Sequence, residues 1–168
     1  MSLTGNIISI NQIVDWFNDF QTRHEQLNSF GYGETYDFGN TVSMTYPTMW
    51  VSHSDNNTIS TLNKTTIPQL VFNVMIVDKI NIQENYENSN SFKSDNKREL
   101  MSDTFQIGQD LITEMVVYWN NFGIILKNDV SCVPVVDETP DKVCGWLFSI
   151  PLTLRFVNCN FPASPINI

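Results

Sequence analysis

At 168 residues, with 42% hydrophobic and 12% aromatic content, the chain suits one domain with a substantial core and excludes disorder throughout. Eighteen acidic residues against nine basic give a formal charge of -9 and a pI near 4.4, which argues against a surface that grips phosphates. No apolar run approaches the length of a membrane span and the N-terminus has no secretory pattern, so no membrane partner and a cytosolic site of synthesis are expected.

Ser9 and Gln12 form a capping box, after which Ile10, Ile13, Val14, Phe17, Phe20, His24 and Leu27 recur at helical spacing, and Trp16 broadens the stripe. The pattern predicts a helix over 10–27, with Phe30-Gly31-Tyr32-Gly33 as the turn that ends it. Thr41 to Thr45 and Trp50 to His53 read as short strands around a break at Tyr46-Pro47-Thr48-Met49, where proline interrupts pairing. The polar stretch 54–66 reads as a loop or the tip of an extended hairpin. From Gln69 to Val77 the apolar residues are nearly continuous, as in a central strand covered on both faces.

Residues 81–96 are the most polar part of the chain and predict a surface loop. Ser94 or Asp95 can cap a second helix from Lys97 to about Trp119, with Leu100, Thr104, Ile107, Leu111, Met115 and Tyr118 on one line. Met101, Phe105, Gly108 and Ile112 lie beside that line. A glycine inside a helix costs about 1 kcal/mol relative to alanine, so Gly108 is expected to permit a close contact with a strand or the first helix.

Ile124 to Val130 and Val133 to Val136 are β-branched runs, followed by a turn by composition at 137–142. Gly145 to Val157 then reads as the longest and cleanest strand: Trp146, Phe148, Ile150, Leu152, Leu154 and Phe156 all fall on one face. Burial of such side chains is worth roughly 1.5–3 kcal/mol each, so this face alone contributes on the order of 10 kcal/mol before chain entropy. A helix layer must cover it. Pro151, on the other face, calls for an edge position, a bulge or an unpaired stretch. The order of elements predicts an α+β fold, a two-layer sandwich of an antiparallel or mixed β-sheet with two helices packed on one face. It is expected as a single domain over 1–160, with a loose C-terminal tail at 161–168.

No catalytic, cofactor-binding or metal-binding residues stand out. His24 and His53 lack metal-ligand spacing, and the glycines at 31 and 33 are not followed by a nucleotide-binding pattern. Ser102 and Ser149 sit in no nucleophile elbow, and Cys144 carries no nucleophile signature. The thiols Cys132, Cys144 and Cys159 form no Cys-x-x-Cys pair and are read as reduced. Asn56 and Asn63 match the glycosylation pattern, which carries little without a secretory signal. The pairs Glu84 with Glu87 and Asp137-Glu138 read as solvated turn residues. Trp50, Tyr118, Trp119 and Trp146 read as core, some of them as anchors of a protein interface. An enzyme would need His24, His53, Asp78 and Cys144 to be gathered by the fold.

Five stretches carry a further signal: His24 to Gly33, Thr45 to Val51, Phe72 to Lys79, Glu99 to Thr104, and Gly145-Trp146. In order and spacing the chain resembles a family of tailed-phage virion proteins that includes the crAss-like group. The resemblance implies a non-enzymatic, tail-terminator-like neck subunit of the head-tail connector, assembled with itself into a closed ring between portal and tail; its copy number is not carried over, and six- and twelvefold symmetry both fit. Neighbouring neck, portal or tail proteins are the implied partners, with phage DNA passing through the lumen without specific binding; an acidic lining of that lumen is read from the net charge alone. The virion is the implied location, after synthesis in the bacterial host cytoplasm. The polar loop at 81–96 and the proline-containing tail at 161–168 depart from the family pattern. The other reading is a phage assembly factor or soluble protein-binding module absent from the mature virion. An exposed strand edge near Pro151 is the expected place for contact between subunits.

Overall fold

The computed structural model describes residues 9–40, 44–62, 65–80, 96–119, 124–126, 129–137 and 142–154. The expected loop over 81–95, most of the turn before the last strand and the tail at 161–168 lie outside these residues, as do Arg155 to Val157 and Cys159.

The first helix, α1 (Ile10–Arg23), opens on the expected capping box: the Gln12 backbone N–H donates to Ser9 Oγ at 3.2 Å and the Ser9 N–H donates to Gln12 Oε1 at 2.9 Å. It ends four residues earlier than its periodicity implies. His24 turns to an extended backbone (φ -85°, ψ 116°), and the Leu27 N–H donates to the His24 carbonyl, which drops Leu27 into the core from a turn. An apolar residue at helical spacing is compatible with either route to burial, so the pattern overran the helix. Ile10, counted on the apolar stripe, is exposed at the first turn.

Phe30 and Gly31 are not a turn but lie in a strand, β1 (Ser29–Tyr32), paired parallel to β2 (Thr48–His53). Gly31 misled because its glycine serves packing and not bending. The Trp50 ring occupies the space beside it, and a Cβ there would sit 2.1 Å from Trp50 Cε3. A short 3-10 helix, η1 (Thr35–Asn40), follows β1. Met44 and Thr45 precede β2 outside any strand, which corrects part of the expected 41–45 strand; residues 41–43 lie outside the described set.

Strand β3 (Thr58–Leu62) and the first part of β4 (Thr65–Lys79) form an extended antiparallel hairpin. At 15 residues β4 is the longest described strand, exceeding the 12 described in β7 (Val143–Leu154). Strand β4 is central as expected: β3 and β2 share one edge and β7 runs along the other from Gln69↔Thr153 to Lys79↔Val143. Beyond β7 come β5 (Ile124–Leu126), opposite 152–154, and β6 (Ser131–Asp137), opposite 143–149. The sheet is therefore seven-stranded and mixed, with the parallel β1·β2 pair the exception to its antiparallel ladders.

Pro151 is thus not at an edge. It pairs with Val71 on one side, while on the other Ile150 and Pro151 fall between the last residue matched by β6 and the first matched by β5. Strand β7 is flanked by β4 on one side and by β5 and β6 on the other, so the expected edge position does not hold.

The face of β7 formed by Trp146, Phe148, Ile150, Leu152 and Leu154 meets Phe72, Val74, Ile76, Met49 and Val51 of the neighbouring strands, and both helices cover it. From α1 come Ile13, Trp16, Phe17 and Phe20; from α2 (Lys97–Tyr118) come Ile107, Leu111 and Met115. The first residue after α2, Trp119, is buried at the helix junction, 4.6 Å from the Trp16 ring and 5.8 Å from Phe17. Arg23 bridges the helices to Glu114, and His24 Nε2 lies 3.5 Å from Asp110. The expectation of a two-layer α+β sandwich with two helices on one face holds.

Two details of α2 differ from its pattern. Its N-cap is Asn96, whose side chain makes no capping bond, and Ser94 and Asp95 lie outside the described residues. Tyr118 is exposed where the heptad-like line placed it inside, because the core position at this end is taken by Trp119. A smaller cluster on the opposite sheet face joins Trp50, Met75, Val77 and Val143 to Phe38, Met44 and Tyr46.

Candidate assembly surface

Of the residues that a catalytic reading would need, the two histidines are placed apart from each other and from the rest. His24 faces Asp110 between the helices, whereas His53, at the end of β2, accepts or donates a 2.6 Å hydrogen bond with the Tyr32 hydroxyl and packs on Phe72. Only Asp78 and Cys144 come together, as direct partners across β4 and β7. The Cys144 thiol is buried, with the Lys97 carbonyl 4.0 Å away at the start of α2. Cys132 is exposed on β6, and neither cysteine is disulfide-bonded. Among the described residues no group of three or more His, Cys, Asp or Glu is arranged to hold a metal ion, and no helix is long and apolar enough to cross a membrane. Ser102 is exposed on α2, and Ser149 donates to Asn73 Oδ1 at 2.9 Å within the sheet. Glu84, Glu87 and Glu138 lie outside the described residues.

Asp78 shows the one clear electrostatic tension near this end of the sheet. Burial pushes its carboxyl above the ordinary aspartate value and the Asp103 charge adds to the push, while the Lys79 N–H, at 2.7 Å, partly opposes them. The folded state then holds its proton to higher pH than the unfolded chain does, so stability falls as pH rises from the ordinary aspartate range through the raised folded value. Asp78→Asn keeps an acceptor for the Lys79 N–H and removes the charge. The variant is expected to melt higher than the native protein at pH 7 and to lose that advantage by pH 3. Melting curves across this range check it; an advantage that persists undiminished at pH 3 would show that the charge is not the cause.

What the fold leaves on its outside is more distinctive than what it gathers inside. Strand β6 has β7 as its sole described partner, and Ser131, Cys132, Val133, Pro134 and Val136 along it are all exposed. At the opposite lateral side, β1 and β3 are also paired on one edge only among the described residues. The exposed edge expected near Pro151 is not found, because β5 and β6 lie beyond β7; among the described residues the strands paired on one side only are β1, β3, β5 and β6. Ile59, on the projecting β3, is 71% exposed.

At the end of α2, Val116, Val117 and Tyr118 are all more than half exposed. Successive helical residues are turned by about 100°, so three consecutive apolar residues cannot share one buried face; that signal was present in the chain and was masked by placing Tyr118 on the core line. Beside them a shallow groove of about 180 Å³ is lined by Met115, Val116, Ile124, Ile125 and Leu126.

The five stretches that carry the phage resemblance converge. Gly31 lies opposite Trp50, Trp50 opposite Met75, and Ile76 opposite Trp146, while the Trp146 indole N–H donates to the Met101 carbonyl at 2.8 Å. They form neighbouring strands and the helix turn resting on them. Compared with known proteins, the chain matches no family model and no curated protein sequence.

Proposed function

We propose that this chain is a non-enzymatic, ring-forming subunit of a tailed-phage head-tail connector, a tail-terminator-like neck protein. The observation that carries the reading is the convergence of its resemblance-bearing stretches on adjacent strands β1, β2, β4 and β7 and the start of α2. Residues that make one wall of a sheet hang together as a structural unit, which suits a scaffold more than a reaction centre. Strands with an open edge among the described residues, on both lateral sides of the sheet, together with exposed Val133, Val136 and Ile59, offer surfaces for head-to-tail contact. Heterologous contacts that close by rotation make rings. The charge of -9 disfavours capture of phosphates, which suits a lumen that lets DNA pass.

Light scattering of the purified protein and mass spectrometry of purified virions test the proposal together. A species of six or twelve times the 19.3 kDa subunit mass, or a monomer abundant in virions, supports it. A monomer absent from virions overturns it in favour of an assembly factor or soluble binding module.

A further inference from the structure

The apolar groove at the end of α2 has an occupant close at hand. Strand β7 is described as far as Leu154, and Leu154 is the direct partner of Ile124, which lines the groove. The last described residue of β7 therefore lies beside the groove wall. Fourteen residues follow Leu154, and from Phe156 to Ile168 they include no Asp, Glu, Lys or Arg, in a protein that has 18 acidic and nine basic residues in all. Within it, residues 158–168 carry Phe161, Ile166 and Ile168. Pro162 and Pro165 oppose a helix and favour an extended path. An extended, uncharged, apolar segment is what a slot between a helix and a three-residue edge strand accepts. The groove itself has no charged lining residue, and Val116 on its rim is 57% exposed.

We propose that residues 158–168 dock in cis into the groove formed by Met115, Val116, Ile124, Ile125 and Leu126 of the same chain. The segment acts as a strap that shields this apolar end of α2 from water and from competing partners. It needs no neighbour, so it stands or falls independently of the ring.

Hydrogen exchange of the full-length protein, read by mass spectrometry over residues 158–168, tests the strap. Restricting the readout to these residues separates docking from any continuation of β7. The expected result is exchange at least ~10-fold slower than that of an unstructured peptide, at every protein concentration. Val116→Asp, a substitution at an exposed rim position, should remove the protection. Val133→Asp, equally exposed but on β6, should leave it intact. Exchange at unstructured rates in the native protein overturns the proposal, as does protection that survives Val116→Asp or is lost in Val133→Asp. Protection that grows with protein concentration also overturns it, since the occupied groove then belongs to a second copy.

Discussion

Gly108→Val will lower stability by about 3 kcal/mol, combining an overpacked core with a β-branched residue in mid-helix. Helix propensity alone points the other way for the smaller change, since alanine is favoured over glycine by about 1 kcal/mol inside a helix. Packing decides the sign: a Cβ at this position would stand 2.0 Å from Phe148 Cζ and 2.3 Å from Cε2. The ring has little room to retreat, because Phe148 is almost wholly buried and Phe105 lies against it. Gly108→Ala should therefore also destabilise, by about 1–2 kcal/mol. For a chain of this size each kcal/mol corresponds to roughly 2–4 °C in melting temperature, so the valine variant should be evident in a thermal scan. Adding Phe148→Leu, which shortens the opposing side chain, should recover part of the loss in the Gly108→Ala background. A double-mutant cycle reads this directly. Strict additivity of the two changes would show that the helix and β7 do not meet through this pair.

Trp119→Ala is the second large effect, with an expected loss of about 3–5 kcal/mol. Trp119 is 1% exposed and joins α1 to α2 through edge contacts with Trp16 and Phe17. Phe17 in turn packs on Phe72 of the central strand, so the aromatic cluster ties the helix layer to the sheet. Trp119→Phe should be much milder. The Trp119 indole N–H is buried with no hydrogen-bond partner among the described residues, and a donor left unsatisfied in the interior costs roughly 1–3 kcal/mol. Phenylalanine leaves part of the volume unfilled but removes that donor, and the two changes offset. Urea unfolding of both variants separates the contributions. Equal losses for alanine and phenylalanine would mean that the volume of the ring is not what Trp119 supplies.

The candidate surface was only partly legible from the chain. That His24, His53, Asp78 and Cys144 belong to no common spacing was readable, and their separation in space agrees with it except for the Asp78·Cys144 pair, which cross-strand register creates. The outward-facing strands were misplaced. A proline in a long apolar strand looks the same locally in an edge strand and in an inner one, and the presence of β5 and β6 beyond β7 decides between them. The exposed Val116-Val117-Tyr118 end of α2 escaped notice because Trp119, one residue later, takes the core position.

By itself the sequence determined the capping box at Ser9, the extent of α2, the central β4 and the apolar face of β7, and from their order the two-layer α+β class. These follow from short-range periodicity, in which each side chain's orientation is set by its neighbours within a turn or a pleat. Tertiary structure decided that Phe30 and Gly31 form a strand, because Gly31 is required by the Trp50 ring beside it and not by a bend. It decided that Leu27 enters the core from a turn, and that Pro151 lies in an inner strand and not in an edge strand. In each case the residue's local preference fits two conformations equally well, and a contact distant in sequence selects one of them.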